Sequence, residues 1–207
     1  MSKAITITVP NMEEAVKNCR TALDALGKNS GVALARAVNR SLEAVRTEAT
    51  KIARSAYTAR RDKLFDNIFV RRAGSQRPEG ELELTGSKGI SLIHFQARPA
   101  LPGKRPKKGV STKVRRDGPR RVRDVPGYTK PFILRKRQGG YGVFVRKVGG
   151  GFRDWGGLQM LWGASPIQAL QRREDQERLA DRAAEVFPRR LEHEIDALLA
   201  GVTRGRE

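Results

Sequence analysis

The chain has one cysteine, Cys19, and two histidines, His94 and His193. A lone thiol closes no internal disulfide, so no covalent staple is expected and nothing marks an oxidising compartment. Cys19 falls on an apolar helical stripe and reads as a buried core thiol. The two histidines are far apart, with no Cys, Asp or Glu at ligand spacing, which argues against a zinc site. No run of some 18 apolar residues occurs, and the N-terminus lacks the apolar region of a signal peptide, so a soluble chain made in the cytosol is expected. No GxSxG, Walker, HExxH or dinucleotide fingerprint is present. Gly149-Gly150-Gly151 lacks the Lys-Ser/Thr pair and following helix of a phosphate loop, and reads as a flexible tip. The carboxylates fall at solvent-face positions of helices, so neither an enzyme nor a cofactor is expected.

Positive charge is what the chain has in excess. Its 207 residues carry 42 Lys plus Arg against 22 Asp plus Glu, a formal net charge of +20. Such a surplus repels itself in the compact state unless a polyanion or an acidic partner lies close by. Nucleic acid is the first candidate. At 38% apolar and 31% charged, the composition suits one moderate core carrying exposed charged segments.

The N-terminal half alternates element types. Ala4–Val9 reads as a strand in an N-terminal segment of residues 1–10. Asn11 with Glu14 fits a capping box, starting one helix whose stripe is Met12, Val16, Cys19, Leu23 and Leu26 before Gly27. A longer helix is expected over about 31–57, with Leu34, Val38, Leu42, Val45, Ala49, Ile52 and Ala56 in line. Thr58 can begin a further helical turn through Leu64. Strands are expected at 68–72, 81–85 and 90–98, the third changing phase between Leu92 and Ile93.

Residues 98–123 are the chemically distinctive stretch. Lys104, Arg105, Lys107, Lys108, Lys113, Arg115, Arg116, Arg120, Arg121 and Arg123 lie there among prolines and glycines, with Asp117 the only acid between Arg98 and Arg123. A segment so charged does not bury itself, so a protruding arm is expected, with 110–114 as an edge strand inside it. These residues are the candidate contacts to nucleic acid or an acidic partner; a solvated loop without a partner is the plainer reading.

Beyond the arm, period-two alternation on either side of Gly139-Gly140 predicts a β-hairpin. Leu158, Met160, Leu161 and Trp162 form an apolar patch, with Trp162 as core or interface filler. Ser165 followed by Pro166 reads as an N-cap and first helical residue, starting a C-terminal helix over 165–201 that Pro188 kinks or breaks. That helix is apolar at its ends and charged in the middle, as if spanning two packed surfaces, one on a neighbouring subunit. Phe132, Leu134, Trp162, Ile167, Leu191 and Ile195 are the candidate subunit-interface residues. The whole is expected to be α+β, a mainly antiparallel sheet packed by the N-terminal helices, with the basic arm and a kinked C-terminal helix.

The succession AVNRSLEAVRTEATKIA, TARRDKLFDNIFVRRA, LIHFQARP, GVSTKVRRDG, PFILRKRQGGYGVFVRK and GASPI resembles the minor tail protein Z family of long-tailed bacteriophages, over roughly residues 30 to 200. The resemblance places Phe132, Ile133, Val143, Phe144 and Val145 in a shared hairpin and Gly163, Ser165, Pro166 and Ile167 at a helix start. It implies a single-domain, non-enzymatic virion component at the head-proximal end of the tail. Such a subunit acts in tail completion and head–tail joining as a homo-oligomeric, hexameric ring around the DNA channel. Neck, connector and tail-tube proteins and genomic DNA would be its partners. A free nucleic-acid-binding protein and a nuclease are the rival readings. The arm's basic residues would face either DNA within the ring or acidic neighbours outside it.

Overall fold

A computed structural model describes residues 4–85, 89–102, 109–150 and 156–204. The fold is α+β, with helices and small antiparallel sheets. Contacts gather into two compact units. The first comprises residues 1–52, 65–85 and 170–207, and the second 53–64 and 86–169.

In the first unit, β1 (Ala4–Thr8) and β2 (Ile68–Arg71) flank β3 (Glu81–Thr85), both antiparallel to it. Ile7 pairs with Leu82, which pairs with Val70, and Ile5 pairs with Leu84, which pairs with Ile68. The apolar side chains therefore share one face, as period two requires. The N-terminal helix expected over 12–26 is two helices, α1 (Met12–Asn18) and α2 (Arg20–Leu26), interrupted at Cys19. Asn11 occupies the N-cap position but is left-handed (φ 56°), and its side chain makes no cap hydrogen bond, so the expected capping box does not form. Cys19 is half-buried rather than enclosed, and its thiol pKa is raised by burial and by the nearby charges of Glu192 and Asp196.

The long helix α3 (Ser30–Ala56) follows expectation closely. Val38, Leu42, Val45, Ala49 and Ile52 are buried along one face. On the same helix the Asn39 side chain donates to the Ala73 carbonyl (3.0 Å) and accepts from the Ala73 N–H (2.9 Å), clamping the chain just after β2. Arg46 stacks its guanidinium 3.6 Å from the Phe65 ring centroid and donates to the Phe65 carbonyl (3.1 Å). Glu48 corrects the view that the helical carboxylates all face solvent. It is nearly enclosed, receiving Arg178 (2.5 Å) and Lys51 (3.1 Å). Burial raises its pKa, but the two cations more than offset this and hold it below the ordinary value.

A helix starts at Pro166 as expected, but it is not continuous. One turn, α5 (Pro166–Ala169), is followed by a break, and α6 then runs over Arg173–Arg204 with Pro188 inside it. Pro188 therefore does not break the helix. The middle of α6 is not bare either: Leu179, Ala183, Phe187, Leu191 and Ile195 recur every four residues and are all buried in the first unit. The helix packs on α1, α2 and β1.

The second unit takes the last turn of α3, then α4 (Arg61–Phe65) through Leu64, and is otherwise built of short strands. The expected hairpin is present as β6 (Phe132–Arg135) and β7 (Tyr141–Arg146). Gly139 and Gly140, at φ 87° and 71°, supply the positive φ of its turn. A third strand, β8 (Leu158–Met160), pairs with β7 where only an apolar patch was expected. The strand expected over 90–98 is instead a 3-10 turn at Leu92–His94, flanked by isolated bridges at Ser91 and Arg98. The phase change between Leu92 and Ile93 marks that turn. A small core of Tyr57, Leu64, Ile90, Leu92, Phe95, Val110, Ile133 and Val143 closes the unit. Among the described residues no helix is long and apolar enough to cross a membrane.

Candidate functional site

The described part of the basic stretch is tied into the second unit by backbone hydrogen bonds. Within its described part, β4 (Ser111–Thr112) pairs antiparallel with β5 (Arg120–Arg121), and Val122 donates to the Val110 carbonyl (2.9 Å). On its other edges the same backbone is tied to the unit. Arg98 and Ser111 exchange both backbone bonds (2.8 and 2.9 Å), Lys113 donates to Phe95 (2.9 Å) and Thr58 donates to Val114 (3.1 Å). The Thr58 hydroxyl also donates to the Lys113 carbonyl. The physical reason is the alternation in 110–114: Val110 and Thr112 are buried and Val114 packs against the core, while Arg115 beyond them points to solvent. One face of the ribbon anchors it; Arg121, opposite Ser111, lies on the other face, while Arg120, opposite Thr112, lies at the exposed end of the anchored one.

The predicted contact residues divide accordingly. Arg115, Arg116, Arg120, Arg121 and Arg123 are exposed and Lys113 is half-buried. Lys104, Arg105, Lys107 and Lys108 lie outside the described residues. Two of the exposed arginines have local partners. Arg116 donates twice to the Arg54 carbonyl (3.1 and 2.7 Å), capping the C-terminal end of α3, where orphan carbonyls and the helix dipole favour a cation. Arg120 pairs with Asp117 (2.5 Å). Among the described residues Arg115 and Arg121 have no ion-pair partner; Arg121 lies over Gly109.

The predicted interface residues are mostly spent on the chain's own interior. Phe132, Ile167, Leu191 and Ile195 are each less than a tenth exposed. Leu134 is half-buried, and Trp162, read as filler, is 51% exposed. Ser165, expected to cap a helix, is buried with no hydrogen bond to its hydroxyl, and the Gln168 side chain accepts from its backbone N–H instead (3.4 Å).

Neither histidine belongs to a metal cluster among the described residues. His94 sits in the 3-10 turn of the second unit. Burial lowers its pKa, and so do the charges of Lys63, Lys136 and Arg60, with Asp62 opposing them.

Sequence reasoning missed the apolar floor beneath the arginines. Leu92, Val114 and Val122 line a cleft of about 280 Å³ whose rim carries Arg115, Arg120 and Arg121. The alternation in 110–114 held the signal for Val114, but Leu92 reaches the cleft only through tertiary structure. The exposed arginines of the rim give it a positive potential, complementary to an anionic group. The chain matches no family model, and no curated protein or solved structure matches it.

Proposed function

We propose that this chain is a structural subunit of a phage neck, closing as a homo-oligomeric ring around the DNA channel to complete the tail and join it to the head. The observation that carries the reading is the exposed arginine surface on β5 and the β4–β5 connection, held on a ribbon anchored by Val110, Thr112 and Val114. A net charge of +20 concentrated on presented rather than buried side chains suits a protein that works beside a polyanion. Ring repetition multiplies a few arginines per subunit into a dense positive collar, which grips phosphates of any sequence and weakens as salt rises. The resemblance in the order of sequence segments supplies the biological setting, in the virion, and the expected partners: other neck, connector and tail-tube proteins and the genome.

A free nucleic-acid-binding protein is the rival with the same charge. Electron microscopy of the purified chain with duplex DNA separates the two. The ring reading expects closed annular particles threaded by DNA, whereas monomers scattered along the duplex would overturn it and favour the rival.

A further inference from the structure

We infer that the cleft under the β4–β5 ribbon is a docking site for an acidic segment of a partner protein that inserts one aliphatic side chain. The setting rests on the structural-subunit reading; the binding itself does not depend on ring formation.

Three observations carry it. The cleft has an apolar floor, Leu92, Val114 and Val122, which a phosphate backbone has no use for. Its volume, about 280 Å³, is below the range of ordinary small-molecule sites yet ample for an aliphatic side chain. Its rim is cationic and only partly neutralised: Asp117 engages Arg120 at 2.5 Å, while Arg115 and Arg121 have no ion-pair partner among the described residues. An apolar pocket ringed by arginines is the complement of an apolar anchor flanked by carboxylates, with the anchor supplying affinity and the charges supplying orientation.

Nucleic acid fits this cleft less well. Single strands are held chiefly by bases stacked on aromatic side chains, and none of the residues lining the cleft is aromatic. Duplex DNA presents phosphates to a protein surface and no side chain to insert. The basic surface outside the cleft stays available to DNA.

The test uses the full chain and fluorescence anisotropy. The probes are a labelled glutamate-rich peptide with one central leucine, its Leu→Gly counterpart, and single-stranded and duplex oligonucleotides of matched charge. The leucine peptide is expected to bind at least about tenfold more tightly than the glycine peptide, the difference that burying one such side chain makes. The exposed-site double variant R115A/R121A is expected to lose most of that binding while melting like the wild type. Equal binding of the two peptides, or unchanged binding to the double variant, overturns the proposal. Displacement of the leucine peptide from the cleft by either oligonucleotide at lower concentration than by unlabelled peptide also overturns it, in favour of nucleic acid. A chain that binds the leucine peptide in the expected pattern yet remains monomeric supports the cleft and counts against the ring alone.

Discussion

Three arginines of the second unit separate a structural cation from presented ones. Arg116 bonds the Arg54 carbonyl, so R116A is expected to lower stability by about 1 kcal/mol, the usual net worth of such a bond. R115A and R121A should each lie within about 0.5 kcal/mol of wild type, as exposed substitutions do. Urea melts of the three variants check this, and equal losses at all three positions would contradict the assignment. His94 gives a pH signature. Its folded pKa is depressed, so on acidification the unfolded chain takes up this proton first. The stability it contributes is complete above the ordinary histidine value and is lost as pH falls toward the folded value. H94Q should therefore flatten the fall in stability between neutral and mildly acid pH; an unchanged slope in paired melts would show that His94 titrates normally.

The basic ribbon and α6 show what was legible at the scale of elements. The long helix α3 and the strands β1, β2 and β3 follow their sequence periodicity, because each buries one face; the hairpin follows its Gly139-Gly140 turn, although neighbours such as Phe132 and Ile133 are both buried. The strand expected over 110–114 is present as β4, but the charge density around it hid that Val110, Thr112 and Val114 anchor it in the second unit. Likewise Leu179 lay hidden among charged neighbours, and only the four-residue spacing to Ala183 and Phe187 joins it to the stripe. The break between α5 and α6 had no strong sequence signal, nor did the interruption at Cys19. Of the candidate site, the exposed arginines were legible, while the cleft floor depends on Leu92 arriving from a distant turn.

That packing changes what a truncation means. Ending the chain after Phe187 removes Leu191 and Ile195, both buried in the first unit, so the product should lose its cooperative melt rather than merely fail to assemble. A truncated chain that melts like wild type would show that this half of α6 is dispensable to the fold. The Asn39 clamp offers a milder probe. N39A leaves the Ala73 N–H and carbonyl without their partner and is expected to cost about 1–3 kcal/mol in urea melts, whereas a surface-like effect would mean water replaces it freely.

At the scale of the whole molecule the question is how a chain of charge +20 is used. Among the described residues much of this surplus is exposed: Arg120 and Arg121 of β5 and Arg115 and Arg116 before it are exposed, and the pairs at Arg36–Glu194, Arg71–Glu81 and Arg72–Glu43 carry exposed arginines and are of small individual worth. On the proposed reading the charge serves as an interaction surface, and copies arranged around a common axis would focus it on one lumen or one set of acidic neighbours. Sedimentation velocity of the purified full chain over a range of protein concentrations measures this most directly. The account predicts one closed multi-subunit species that dominates as concentration rises; a monomer at every concentration would contradict it.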